Sequence, residues 1–143
     1  MIDNSYAPRL SEDLLVKEVL DTELGTIYFY DNILVMEGKE NVVISIKTAL
    51  SILLDVVKRV GIKPVVYISN RVNSYSVDPN DYKFLNMIPN LKGVAIVSYG
   101  FVKNETALLE KSFIKKPCGT FDNLSDAKLW ALEVLEQSSI SKN

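Results

Sequence analysis

The 143 residues predict an α/β domain: a mixed sheet, antiparallel at its start and parallel afterwards, covered by about four helices. Three observations carry this expectation. The first third strings short β-rich runs between turn residues. From Ile46 the apolar residues change to helical spacing. From Pro64 onward strand-like and helical stretches alternate, and right-handed crossovers make such strands parallel.

Met1 to Asp13 is polar, contains Pro8, and is expected to be a flexible lead-in to a single domain over 14–143. Leu14–Leu20 and Thr26–Tyr30 carry strand residues, with Gly25 between them. Asp31-Asn32 is a turn signal ahead of Ile33–Glu37, so the opening reads as an antiparallel meander. Apolar residues then fall at 46, 49, 50, 53, 56, 57 and 60. Lys47, Thr48, Ser51, Asp55, Lys58 and Arg59 take the other face, and Gly61 ends the helix where a left-handed residue is wanted.

Pro64–Ser69 is an unbroken β-rich run, as a strand buried on both faces requires. Asp78-Pro79 starts a helix: Asp78 caps free N–H groups, Pro79 suits the first position, and Asp81 adds favourable charge. That helix is expected to run to about Ile88, before Pro89. Gly93–Ser98 is the next buried strand, Val102–Phe113 a helix and Cys118–Phe121 a short strand. The last helix spans Leu124–Gln137, with Leu124, Ala127, Ala131, Val134 and Leu135 on one face.

Composition removes several function classes. Hydrophobic residues make up 48% and charged residues 24%, the balance of a packed domain large enough to need no staples. Net charge is −2 with no basic patch, which leaves nucleic-acid binding without electrostatic support. The longest apolar run, Ala49–Val57, is interrupted by Asp55 and too short to span a bilayer. The first residues lack the charged-then-apolar layout of a signal peptide, and Cys118 is the single cysteine, so a cytoplasmic setting is expected. The chain has no histidine, which removes His-based triads and nearly every transition-metal site. Its six glycines, at 25, 38, 61, 93, 100 and 119, are too scattered to build a phosphate cradle. No cofactor is expected.

Two stretches resemble a known group. One is the strand "GVAIVS", a helix, and then "FDNLSDAKLWA", Phe121 to Ala131. The other is "VVYISNRVNSYSVDP", a buried strand entering a serine-bearing loop and a helix start. Together they look like the SpoIIAA-like fold, the group of STAS and STAS/SEC14 domain-containing proteins, over roughly Gly25 to Gln137. The resemblance implies a regulatory or protein-interaction module. Anti-sigma-factor antagonists of this fold carry Asp-Ser-Ser-Gly at that helix start, where a partner kinase phosphorylates serine. Here the segment reads Asn73-Ser74-Tyr75-Ser76-Val77-Asp78-Pro79, with serines but without that order.

Parallel sheets place ligand sites beyond the carboxyl ends of their strands. Two such ends, Ser69-Asn70-Arg71 and Ser98-Tyr99-Gly100, are expected to be neighbours. The candidate binding residues are therefore Asn70, Arg71, Asn73, Ser74, Tyr75, Ser76, Asp78, Ser98 and Tyr99, with Ser74 and Ser76 as candidate phosphoacceptors. Arg71 is expected to be partly exposed and to supply a fixed charge for an anion at a helix N-terminus. The plain alternative is a crossover loop that these polar residues merely solvate. Cys118 has Lys115 and Lys116 near it but no histidine base, and reads as an inert thiol. Glu105 and Glu110, Asp122 and Asp126, and Asp78 and Asp81 read as capping or solvated helix faces, and Trp130 as a packing or interface residue.

The leading expectation is a non-enzymatic module that recognises a protein partner through the 70–78 loop and the helix after Pro79, with a homodimer as a separate expectation. The alternative is a binder of a small anionic or lipid-like ligand in a pocket lined by Tyr67, Tyr99 and apolar helix faces. A filled core favours the first, and an apolar cavity of several hundred Å³ the second.

Overall fold

The computed structural model describes residues 8, 10, 14–100 and 103–140. Its main sheet has six strands, in the order β1 (Glu18–Asp21), β2 (Gly25–Tyr30), β3 (Ile33–Gly38), β5 (Val65–Arg71), β7 (Leu91–Ser98) and β8 (Cys118–Phe121). β1, β2 and β3 pair antiparallel, and β3, β5, β7 and β8 pair parallel. Val65–Arg71 and Leu91–Ser98 are thus adjacent and parallel, as the sequence predicts. The two-residue turn at Asp31-Asn32 closes the β2–β3 hairpin, with Asp31 at positive φ.

Among the described residues four helices cover the sheet: α1 (Ile46–Val60), α2 (Tyr82–Asn86), α3 (Lys103–Lys111) and α4 (Leu124–Ile140). Along each strand side chains alternate between faces, and this sorts the core into two layers. On one face Val35, Val66, Ile68, Ala95 and Val97 pack against Ala127 and Ala131 of α4. The small alanines let α4 lie close to the strands, while Trp130 meets Phe121 at 5.7 Å between ring centroids. Leu34, Met36, Val65, Val94 and Ile96 point the other way, toward α1, α2 and α3.

Several boundaries differ from the sequence reading. The first strand is shorter than Leu14–Leu20, because only Glu18–Asp21 runs along β2. Leu14 and Val16 instead fold onto the α4 face. Of the expected flexible lead-in, Pro8 and Leu10 are described and both are docked. Leu10 is buried, and the Pro8 carbonyl accepts the Tyr30 hydroxyl. A 3-10 turn, Pro79–Asp81, precedes α2, which stops at Asn86 rather than Ile88. The predicted start of α3 at Val102 lies outside the described residues.

A feature with no clear sequence signal is a second, two-stranded sheet. β4 (Val43–Ile44) pairs parallel with β6 (Ser76–Val77). It ties the segment entering α1 to the loop that follows β5. Asn41, Ser76 and Asp78 donate backbone N–H groups to Ser74, Val42 and Ile44 across this ribbon.

Candidate functional site

α1 is strongly amphipathic in sequence, yet none of its residues is buried. Its apolar positions Ile46, Ala49, Ile52, Leu53, Val56 and Val60 are half-buried, while Leu54 is 61% exposed. The helix is held at its ends. Its first N–H, at Ile46, donates to the Asp81 carboxylate at 2.8 Å, and the Ser45 N–H donates to Thr48 Oγ1 at 3.0 Å. Gly61 closes it at φ 68°, and the Asn90 side-chain amide donates to the carbonyls of Gly61 and Lys63. Arg59 adds ion pairs to Asp55, at 2.9 Å, and to Glu18.

Between this end-tethered helix and the sheet lies a cavity of about 180 Å³. Ala49, Leu53 and Val56 form its roof, Ile27, Met36 and Tyr67 its floor, and Leu85 and Ile88 of the α2 region one wall. It is smaller than the several hundred Å³ expected of a pocket for a drug-sized ligand, and somewhat larger than the roughly 150 Å³ engineered cavity that admits benzene.

One end of the cavity is polar, and here the structure corrects the reading of Arg71. Glu110 on α3 is 3% exposed and grips Arg71 with both carboxylate oxygens, Nη2 to Oε1 at 2.5 Å and Nη1 to Oε2. Arg71 Nη2 also meets the Tyr82 hydroxyl at 3.3 Å, its Nε donates to Ser69 Oγ at 3.1 Å, and Tyr82 itself donates to Glu110. The Tyr75 ring lies 5.7 Å from the guanidinium carbon, and the Tyr75 hydroxyl is 3.2 Å from Ser69 Oγ. Burial works against the Arg71 charge, but the Glu110 hydrogen bonds and charge outweigh it and hold the guanidinium firmly protonated. Burial first, and then the Glu110 charge, push the Tyr82 hydroxyl far above its ordinary range. Arg71 is therefore a partly exposed charge paired internally rather than a free one. Glu110, expected on a solvated helix face, is its buried counterion.

Strand alternation also divides the expected rim into two sites. Arg71 stands opposite Ser98 in the β5–β7 register, while Asn70 stands opposite Val97 on the α4 face. The Asn70 amide donates to Glu37 Oε2 at 2.7 Å, and its carbonyl accepts the Tyr99 hydroxyl at 2.7 Å. Burial raises the Glu37 carboxyl, and the Asn70 hydrogen bond partly offsets the shift. Tyr67 lines the cavity but Tyr99 does not, because the two tyrosines serve opposite faces.

The loop itself is clamped. Asn73 donates to the Gly38 carbonyl at 3.0 Å, and Asp78 accepts from the Asn80 N–H at 3.1 Å. A Cβ on Gly38 would come within 2.6 Å of the Tyr75 ring, which would have to shift to admit it. Ser74 and Ser76 are both exposed. Cys118 is half-buried and its thiol is pushed up to about 11 by burial, the condition of an inert cysteine. Among the described residues no cluster of His, Cys, Asp and Glu is arranged to hold a metal ion, and no helix is long and apolar enough to cross a membrane.

Sequence reasoning missed Asp81 as a cap for α1 rather than for its own helix, and missed Glu110 and Tyr82 as partners of Arg71. No protein-family model and no curated protein matches the chain. Its fold is similar to the crystal structure of an uncharacterized protein of the DUF3478 family, with a SpoIIAA-like fold, from Shewanella loihica PV-4. The TM-score is 0.52 at 14% identity, over 80% of this chain and 90% of that one. At that identity the likeness establishes architecture: the chain is an α/β domain with a SpoIIAA-like fold.

Proposed function

We propose that this domain is a non-enzymatic binding module, which holds a small apolar molecule between α1 and the sheet and presents the 70–78 loop to a protein partner. The cavity carries the reading. The lining is mostly apolar and partly open to solvent, so apolar surface is kept in contact with water at a cost in stability. One larger side chain on α1, in place of Ala49, would recover part of that, and such stabilising changes are easily reached. A site that receives a ligand explains why the space is kept. The absence of histidine and the raised Cys118 thiol support a role without chemistry on that ligand.

The partner half of the reading rests on the β4–β6 ribbon. Exposed Asn73, Ser74 and Ser76 share a backbone clamp with the segment that enters α1. Through that ribbon a change in α1 position on ligand binding would reach the loop surface.

The test is to purify the chain from its native source, extract it with organic solvent and identify released molecules by mass spectrometry. Ala49→Phe, which fills the cavity, serves as the control. A small apolar compound recovered stoichiometrically from the wild type and absent from Ala49→Phe is the expected result. Equal recovery from both proteins, or recovery from neither at any growth stage, contradicts it.

A further inference from the structure

The polar end of the cavity decides which ligands it accepts, and this deepens the binding reading above and rests on it. Arg71 is the one cation among the described residues lining the cavity, and both oxygens of Glu110 already occupy it. Its Nε is taken by Ser69, and Nη2 also contacts Tyr82. Asp78 and Asp81 also line the cavity, the Asp81 carboxylate accepting from the Ile46 N–H of α1 and the Asp78 carboxylate from the Asn80 N–H. An anionic head group would lose its hydration, meet no unpaired positive charge, and approach two like charges. Hydroxyls also line this end. Ser69 Oγ accepts from Arg71 Nε, pairs with the Tyr75 hydroxyl and also meets that of Tyr67, so the Tyr75 hydroxyl is the member of the pair left to act toward a ligand.

We infer that the site selects uncharged molecules: short aliphatic or single-ring compounds, ending in one hydroxyl or carbonyl that hydrogen-bonds to the Ser69–Tyr75 pair, and that it rejects the corresponding carboxylates. The volume suits about six to nine heavy atoms, judged against the cavity that admits benzene. Of the two small-ligand classes the sequence leaves open, anionic or lipid-like, this favours the uncharged one, because Glu110 neutralises the cation that an anion would need.

The experiment titrates the wild-type chain with hexan-1-ol, hexanoate and benzene at pH 7, where hexanoate is ionised. Carbon-13 methyl spectra read the signals of Ile52, Leu53 and Val56. Hexan-1-ol and benzene should shift these methyls, with hexanoate binding at least about tenfold more weakly than hexan-1-ol, the cost of burying a charge without a partner. Tyr75→Phe should weaken hexan-1-ol several-fold and leave benzene unchanged. Glu110→Gln, which frees the Arg71 charge, should gain hexanoate binding. Hexanoate binding to the wild type as tightly as hexan-1-ol overturns the inference while leaving the cavity a binding site. Benzene without hexan-1-ol overturns the head-group assignment. Silence with all three probes removes the cavity reading and the inference with it.

Discussion

Arg71, at the end of β5, and Glu110, on α3, form a two-pronged ion pair beneath the surface, the guanidinium 14% and the carboxylate 4% exposed at the side chain. It joins the sheet to α3, from which Ala107 also packs into the core.

Removing one member strands the other. Arg71→Ala should destabilise the domain by about 3 kcal/mol in urea unfolding, since an uncompensated buried carboxylate remains. The double substitution Arg71→Met/Glu110→Leu should recover most of that loss. A single-variant cost below about 1 kcal/mol would make the pair a solvated surface contact instead.

Filling the cavity should stabilise. Ala49→Leu adds apolar volume to the roof and should raise stability by about 1 kcal/mol, measured by urea unfolding. A loss of stability would mean that α1 already rests on the sheet as closely as it can.

The ribbon should hold α1 in place. Ser76→Pro removes the N–H that donates to the Val42 carbonyl at 3.0 Å. Amide hydrogen exchange along Ile46–Val60 should then quicken by about tenfold, with β5 and β7 unchanged. Unaltered exchange in α1 would uncouple the loop from the helix.

Glu37 gives a pH dependence whose sign follows from its burial. Its folded carboxyl is raised by burial above the ordinary value of 4.5, with Asn70 opposing. A raised acid stabilises the folded state below its unfolded pKa, and that contribution is lost as pH rises through the folded value. Unfolding of wild type and Glu37→Gln between pH 4 and 7 should therefore show Gln gaining relative stability as pH increases. The opposite slope would place the carboxylate in a site that favours its charge.

Cys118, with its thiol near 11, should react with an aromatic disulfide reagent at pH 8 on the order of a hundredfold more slowly than a free cysteine. Urea unfolding should restore the ordinary rate.

Much of the architecture is legible in the sequence because its signals are local. The Asp31-Asn32 turn, the helical spacing from Ile46 and the unbroken run Val65–Ile68 each follow from a few neighbouring residues. The adjacency of the 69–71 and 98–100 strand ends is also legible, since sequential parallel strands tend to neighbour. What those ends do is not. Asn70 and Arg71 are neighbours in sequence, yet the pleat sends them to opposite faces, and only the partners there distinguish a free charge from a satisfied one. Glu110 lies 39 residues from Arg71, beyond any spacing rule. β4 and β6 have two residues each, too few for a period to register. The cavity is illegible for a different reason. The apolar stripe on α1 is the same whether the helix presses on the sheet or stands off from it.

The claim that α1 and the sheet enclose a ligand site is tested most directly by a crystal structure of the chain grown with hexan-1-ol. Density should fill the space between Leu53 and Tyr67, with its oxygen within hydrogen-bonding distance of the Tyr75 hydroxyl and α1 still tethered through Asp81. A helix collapsed onto Met36 and Tyr67, with Ile52 and Val56 occupying that space and no alcohol bound, would contradict it.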